Sequence, residues 1–507
     1  MASVKCSRAW IPYLHSSLRS TSARSIRPIS YSAVNSTIRR NILRSFASTS
    51  RASSPGKGSR DGAIQRNELA SLKVNRERLM ETLHETCAWG TGKRWGQAST
   101  ETGMTRLTLS DSDKKARDWF VGTVEGLGCR VTVDAIGNTF AVRPGGSEGA
   151  ATFVGSHLDT QPTGGRYDGI LGIMAGVEML RVLHENNIET EFPVGVVNWT
   201  NEEGARFPYS MMGSGVWAEA LPLETAYGLR SVTGDSVALK SELERIGYLG
   251  KVPASYRSIP MGAHFELHIE QGPILEAEER KIGVVQGVQA YKWFTIEIEG
   301  RDAHTGTTPL ANRSDALLLA SKFMVHGNRV ATKHAALVST GILTLSPGST
   351  NTIPGSVRLS LDIRAPRNET VKEVEAQLRQ DFADLAAGKD IGSLHEGGTL
   401  GKSEFSVSWR TDSETTATVF HEDCIRCVRE AAEDVLGEGS EKLVKDVVSG
   451  AGHDSVYASR ICPTTMIFVP CRDGVSHNPA EYTSPEDCAI GAEVLMHSVL
   501  KYDAMRT

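Results

Sequence analysis

The sequence predicts an α/β fold, with a mostly parallel sheet as the main domain and a ferredoxin-like α+β domain inserted into it. Three observations lead there. Short apolar runs without polar alternation, Ala151 to Gly155, Val194 to Trp199 and Thr465 to Val469, are interleaved with helical patterns, as in parallel strands buried on both faces. From about Gln289 the period shortens to two, with Phe294, Ile296 and Ile298 apolar, and a β-α-β-β-α order follows. Histidines and carboxylates gather at the carboxyl ends of the apolar runs, where open α/β sheets build their sites. The expected organisation is a leader over 1–60, the main domain over 61–288 and 405–507, and the inserted domain over 289–404.

Residues 1–60 differ in kind from the rest. They hold nine Arg and two Lys, are rich in Ser and Thr, and precede the first acidic residue, Asp61. Such a segment reads as a transit peptide with a mitochondrial address; a basic tail on a cytoplasmic protein is the alternative. The net charge of −5, less the +11 of this segment, leaves −16 on the remainder. No basic surface is left to neutralise phosphates, so no nucleic-acid partner is expected. No apolar run reaches the roughly 18 residues of a membrane span, so no membrane partner is expected either. Cys424 and Cys427 fall on a helical pattern with no second pair, which predicts buried helix positions, not a zinc or redox site.

The elements follow in order. Glu68 to Trp89 has helical spacing and stops at Gly90. Ser110-Asp111 reads as an N-cap, followed by a helix from Asp113 to Leu127. Gly137-Asn138 marks a hairpin. After the run Ala151 to Gly155, Asp168 opens a Gly-rich helix from Gly169 to Asn187, and Val194 to Trp199 is the next buried strand. Residues 208–262 carry few strand signals and read as loops and helices. His264 to Glu270 is strand-like. In the inserted domain, helices are expected over about 313–333 and 369–387, and alternating strands over 337–345 and 356–363. The main domain then resumes with a helix at 419–436, the strand Thr465 to Val469 and a closing helix from Pro485.

The chemistry-bearing residues sit at strand ends. His157 can ligate a metal while Asp159 hydrogen-bonds its other ring nitrogen. Taken singly, His157 is an ordinary core histidine, Asp168 an ordinary helix cap and Glu202-Glu203 a solvated loop pair. Together, and flanked by glycines that let backbone approach closely, they make a metal floor. Of two adjacent carboxylates, one can ligate a metal and the other can serve as general base. His268 and His477 are further ligand candidates, so the five or six donors of a two-metal site are at hand.

Several long motifs carry a resemblance: Ser-His-Leu-Asp-Thr-Gln-Pro, Gly-Arg-Tyr-Asp-Gly-Ile-Leu-Gly, Asn-Glu-Glu-Gly-Ala-Arg-Phe, His-Ile-Glu-Gln-Gly-Pro-Ile-Leu-Glu, Asp-Ala-His-Thr-Gly-Thr-Thr-Pro, Gly-Ala-Gly-His-Asp-Ser and Gly-Val-Ser-His-Asn. From about residue 66 to 504 the chain resembles the N-carbamoyl-amino-acid amidohydrolase family, nearest its fungal beta-ureidopropionase branch, within the dimetal aminoacylase and carboxypeptidase superfamily. The resemblance implies that His157, Asp168 and His268 hold one metal, that Asp168, Glu203 and His477 hold the other, and that Glu202 is the general base. It implies zinc; the donor set also suits manganese, cobalt or nickel. It implies that His304 stabilises the oxyanion and that Gln271, Asn351 and Arg364 contact substrate, with Arg364 gripping a carboxylate through its planar fork. His453 and Asp454 would support the site from behind.

The implied activity is metal-dependent hydrolysis of the ureido bond of an N-carbamoyl amino acid, foremost N-carbamoyl-β-alanine, giving β-alanine, carbon dioxide and ammonia. Allantoate, ureidoglycolate and N-carbamoyl-L-α-amino acids are rival substrates. A metabolite-binding protein on the same fold is the non-enzyme alternative. A homodimer with shared active sites is also implied, hinged near 288–290 and 403–406.

Overall fold

The structure is a computed structural model that describes residues 71–389, 391, 400–402 and 404–506; the leader expected over 1–60 lies outside the described residues. The apolar runs lie side by side in the middle of a nine-stranded sheet. Thr464–Val469, Met261–Ile269, Ala151–His157 and Val194–Trp199 are neighbours in that order, and each adjacent pair is parallel. Alternation sends successive side chains to opposite faces. Val154, Val194 and Val196 pack into a core with the helices Ile170–Glu185 and Pro485–Met505, while Phe153, Val197 and Trp199 pack on Trp217 and Ala458 on the other side.

The sheet as a whole is mixed, which corrects the expectation of a mostly parallel one. Arg130–Val133 and Thr139–Arg143 form an antiparallel hairpin, and the second strand runs antiparallel to Val194–Trp199. At the other edge Ile282–Val288 is antiparallel to Thr464–Val469 but parallel to Val444–Ser449. The reason is connection length. Helical crossovers join the central strands, whereas the tight turn at Gly137 (φ +85°) can join only antiparallel neighbours.

A second sheet has the order Leu337–Ser339, Ser356–Ala365, Ala290–Glu299, Ser406–Thr415, antiparallel throughout, with Leu343–Ser346 also paired to Ser356–Ala365. Helices Ala316–His334 and Asn368–Ala386 cover one face. Their Phe323 and Phe382 rings stack with centroids 3.9 Å apart, over a core that includes Phe294, Ile296 and Ile298. The chain returns to the large sheet later than expected. Ser406–Thr415 pairs along Ala290–Glu299 from Ser406 opposite Glu299 to Thr415 opposite Tyr291, and the first large-sheet contact is Thr418 opposite Val288. The boundary therefore falls after Thr415, not at 405. The strand SVSWRTDSET carries few apolar residues and leaves much of its length exposed, so its alternation is faint.

Candidate metal centre

Two groups of potential ligands meet at the carboxyl ends of the central strands, and they share one residue. His157, Asp168 and His268 form the first, Asp168, Glu203 and His477 the second; within each, the ligand atoms lie within 4.8 Å of one another. Asp168 Oδ1 is 3.5 Å from His157 Nε2 and 3.1 Å from His268 Nε2, and its Oδ2 is 3.4 Å from His477 Nε2. Glu203 Oε2 lies 3.5 Å from His477 Nε2. Asp168 is therefore not a helix cap. The helix Ile170–Glu185 begins after Gly169 and has no side-chain cap. Gly169 has φ +68°, and a Cβ there would lie 2.2 to 2.4 Å from three atoms of the His157 ring, so only glycine lets the helix start this close to the ligand.

Each ring is aimed. His157 Nδ1 donates to the main-chain carbonyl of Asp159 at 2.8 Å, and His268 Nδ1 donates to the carbonyl of Ile269 at 2.8 Å. Both imidazoles thus present the Nε2 lone pair to the centre. The Asp159 carboxylate does not reach the His157 ring, contrary to expectation. It accepts hydrogen bonds from the main-chain amides of Glu202 (3.4 Å) and Glu203 (3.3 Å), and so fixes the loop that presents both acids.

Three groups beyond the expected residues also belong to the cluster. Gln161 donates its side-chain amide to Glu203 Oε2 at 2.7 Å and its main-chain amide to Oε1 at 3.1 Å. Glu481 accepts from the amides of Tyr167 (2.9 Å) and Asp168 (3.0 Å). Glu266 is buried between the hydroxyls of Ser156 and Ser455 and forms a third cluster with His268 and His453. Gln161 stands inside a motif already singled out, but its target is fixed only by the fold.

The residues fit a pair of divalent cations. His157 Nε2 is buried, has no hydrogen-bond partner among the described residues, and faces Asp168 and, at 3.7 Å, Glu202 Oε2. Burial pushes Glu203 and Glu481 up to about 7 and lifts Glu202 well above the carboxylate range. Burial would raise Asp168 too, but His268, His157 and His477 outweigh it and hold Asp168 well below its ordinary value. The hydrogen bond to Asp168 takes His477 up to about 9. Bound cations would relieve these opposed shifts, taking the place of the protons that burial and the histidines otherwise favour. Imidazole and carboxylate donors suit zinc, manganese, cobalt or nickel.

The ligands floor a cavity of about 220 Å³, which Glu202, Gln271, Arg364 and His453 also line. Gln271 Nε2 is committed to Asp168 Oδ2 at 2.8 Å and Ser476 Oγ at 3.1 Å, so in this arrangement it steadies a ligand. Arg364 reaches the cavity wall from the smaller sheet, paired with Asp362 at 2.9 Å and donating to the Gly450 carbonyl at 3.0 Å. His453 is buried edge-on to the His268 ring (centroids 4.6 Å apart), and Asp454 accepts a hydrogen bond from Ser214. His304 and Asn351 are not brought to this cavity. His304 lies opposite Thr352 in a two-residue ladder, its Nδ1 accepting from the Gly306 amide, and Asn351 Oδ1 accepts from Ser349; both side chains are exposed.

Non-glycine residues with left-handed backbone cluster here: Asn201 (φ 60°), Gln271 (φ 56°) and His477 (φ 52°). Such strain persists where surrounding structure enforces it, and it concentrates at functional sites.

The family model described as peptidase family M20/M25/M40 matches residues 153–501. An N-carbamoyl-L-amino-acid amidohydrolase of Rhizobium meliloti is 39% identical over 432 residues, covering 85% of this chain and 97% of the relative. A ureidoglycolate hydrolase of Arabidopsis thaliana is 32% identical over 448 residues, covering 86% and 88%. Among solved structures, an amidase of the hydantoinase/carbamoylase family from Burkholderia multivorans matches with a TM-score of 0.77 at 41% identity, covering 85% of this chain and 98% of that one.

Proposed function

Because this chain belongs to peptidase family M20/M25/M40, we propose that its centre hydrolyses the ureido carbon–nitrogen bond of N-carbamoyl amino acids. It is a hydrolase of carbon–nitrogen bonds outside peptides. The observation that carries the reading is the geometry of the two ligand groups. They share Asp168 and leave one buried acid, Glu202, at the cavity but outside both.

Two divalent cations, when bound, would polarise the ureido carbonyl and make water a better nucleophile. Glu202 takes the proton of the attacking water, aided by burial that raises its proton affinity. It then returns the proton to the nitrogen of the departing amino acid, and the remaining carbamate gives carbon dioxide and ammonia. Asp159 and Gln161 hold Glu202 and Glu203 in register while this happens. Arg364 offers its guanidinium to the substrate carboxylate in partial exchange for Asp362, so much of the rate comes from positioning. N-carbamoyl-β-alanine meets these demands, as do N-carbamoyl-α-amino acids, ureidoglycolate and allantoate, since all present a ureido group and a carboxylate.

The smaller domain serves as lid and dimerisation surface in this proposal. His304 and Asn351 are exposed and stand away from the cavity of their own chain, so each would complete the cavity of a partner copy. Ammonia release from a panel of ureido acids by metal-loaded protein tests the reading, with N-acetyl amino acids as controls. Glu202→Gln should keep its metals and lose at least roughly a hundredfold in kcat. Near-wild-type turnover in that variant would remove Glu202 from the chemistry. A metabolite-binding protein would release no ammonia from any of the panel.

A further inference from the structure

Beside the metal floor lies a second, larger cavity that the mechanism above leaves unused. Its volume is about 670 Å³, against about 220 Å³ over the ligands. Both spaces are lined by Glu203, Ser210, Met211, Tyr291 and Trp293, so a molecule anchored on the floor has the larger space directly alongside. Tyr291 stands at the junction, with the Arg364 guanidinium 5.5 Å from its ring centroid and Trp293 5.1 Å away on the same strand. Arg364, the proposed anchor of the substrate carboxylate, therefore lies beside the wall that the two spaces share.

Four aromatic side chains line the larger cavity, among polar ones that include Glu414, Ser413, Thr415 and Thr416. Tyr291 and Trp293 line it from the smaller sheet, Tyr209 from the loop after Val194–Trp199 and Tyr457 from the helix Asp454–Ala458, the two tyrosine hydroxyls meeting at 3.3 Å. Trp293 is 43% exposed and lines both spaces. Aromatic rings prefer other rings at offset or edge-on geometry, and such contacts add to the burial of apolar area. Neither ureidoglycolate nor N-carbamoyl-β-alanine carries a group that could cover these rings.

We propose that this cavity receives the substrate's side chain against its four rings, and that the preferred substrates are N-carbamoyl α-amino acids with large, flat, aromatic side chains. The inference rests on the reading of the metal centre as a ureido-acid hydrolase and names the substrate class of that same centre. Arg460 sits at the rim, 4.6 Å over the Tyr457 ring and without a carboxylate partner among the described residues. It closes the cavity with a cation that can stack on a ring.

The test is kcat/KM on the metal-loaded full chain for the N-carbamoyl derivatives of L-phenylalanine, L-tryptophan, L-glutamate, glycine and β-alanine. The aromatic derivatives should exceed the glycine derivative at least about tenfold. Trp293→Ala should collapse that ratio, and Trp293→Phe should keep most of it. Calorimetric binding to the Glu202→Gln protein gives a readout independent of turnover, with the phenylalanine derivative bound more tightly than the glycine derivative by a similar factor. Preference for glycine or β-alanine, or a ratio unmoved by Trp293→Ala, overturns the inference and leaves the ureido chemistry standing. Preference for the glutamate derivative assigns the cavity to Arg460 and overturns it as well. Hydrolysis of none of them overturns the ureido reading and the inference together.

Discussion

Replacing Gln161 by Leu removes one amide donor from Glu203 without changing side-chain volume much. In the structure that donor lies 2.7 Å from Oε2, while the main-chain amide of residue 161, 3.1 Å from Oε1, survives the change. A hydrogen bond to a charged group is worth about 1.5–3 kcal/mol. That corresponds to roughly 10- to 100-fold in affinity, the range seen when a residue orienting a metal ligand is lost. Glu203 already sits at about 7, burial being the main cause, and loss of a donor to its charged form pushes it higher. A protonated carboxylate cannot ligate, so uptake at its site should also shift to higher pH. The assay is competition of metal-free protein with a chromophoric chelator for zinc. One binding equivalent should weaken by the stated factor and the other should move little. Unchanged affinity at both, with a raised KM, would place Gln161 on the substrate and refute the reasoning.

Two further outcomes follow from charge and symmetry. Metal-free protein should lose thermal stability as pH rises from about 5 to 8. Glu203 and Glu481, pushed to about 7 mainly by burial, hold protons in the folded state that the unfolded chain has released. His477, raised to about 9 through its hydrogen bond to Asp168, loses its contribution as pH climbs toward that value. Metal loading should flatten or invert the trend, because cations then replace the protons; scanning calorimetry at the two pH values decides it, and a metal-free protein that gains stability with pH contradicts it. For shared active sites, mixing inactive Glu202→Gln and His304→Ala proteins under subunit exchange should restore about a quarter of wild-type activity, since half the dimers are mixed and each has one intact site. No recovery would show that His304 serves its own chain.

Most of the candidate ligand set was legible because its members end an apolar run or open a helix beside glycine: His157 closes one central strand, Glu202-Glu203 follow another, and His268 lies near the end of a third. Their supports were not legible. Glu481 holds the amide of Asp168 from 313 residues away, and Gln161 reaches Glu203 across 42 residues, pairings that only the folded sheet creates. The role of Asp159 was misjudged because His157 Nδ1 can be satisfied by a main-chain carbonyl, which leaves no trace in the sequence. The strand Ser406–Thr415 was missed for lack of apolar alternation, and with it the true return of the chain to the large sheet. His304 and Asn351 are exposed and stand apart from the cavity of their own chain, a placement that no local pattern in the sequence signals.

Two metal positions that share Asp168 make a countable prediction, the number of zinc ions bound per chain. Wild-type protein, Asp168→Ala and His477→Ala should be dialysed against a buffered zinc solution and analysed for zinc per chain, with circular dichroism confirming that each is folded. The shared-ligand geometry predicts two equivalents in the wild type, one in His477→Ala and close to none in Asp168→Ala. A wild type that holds a single equivalent, or an Asp168→Ala protein that binds as much as His477→Ala, would contradict it.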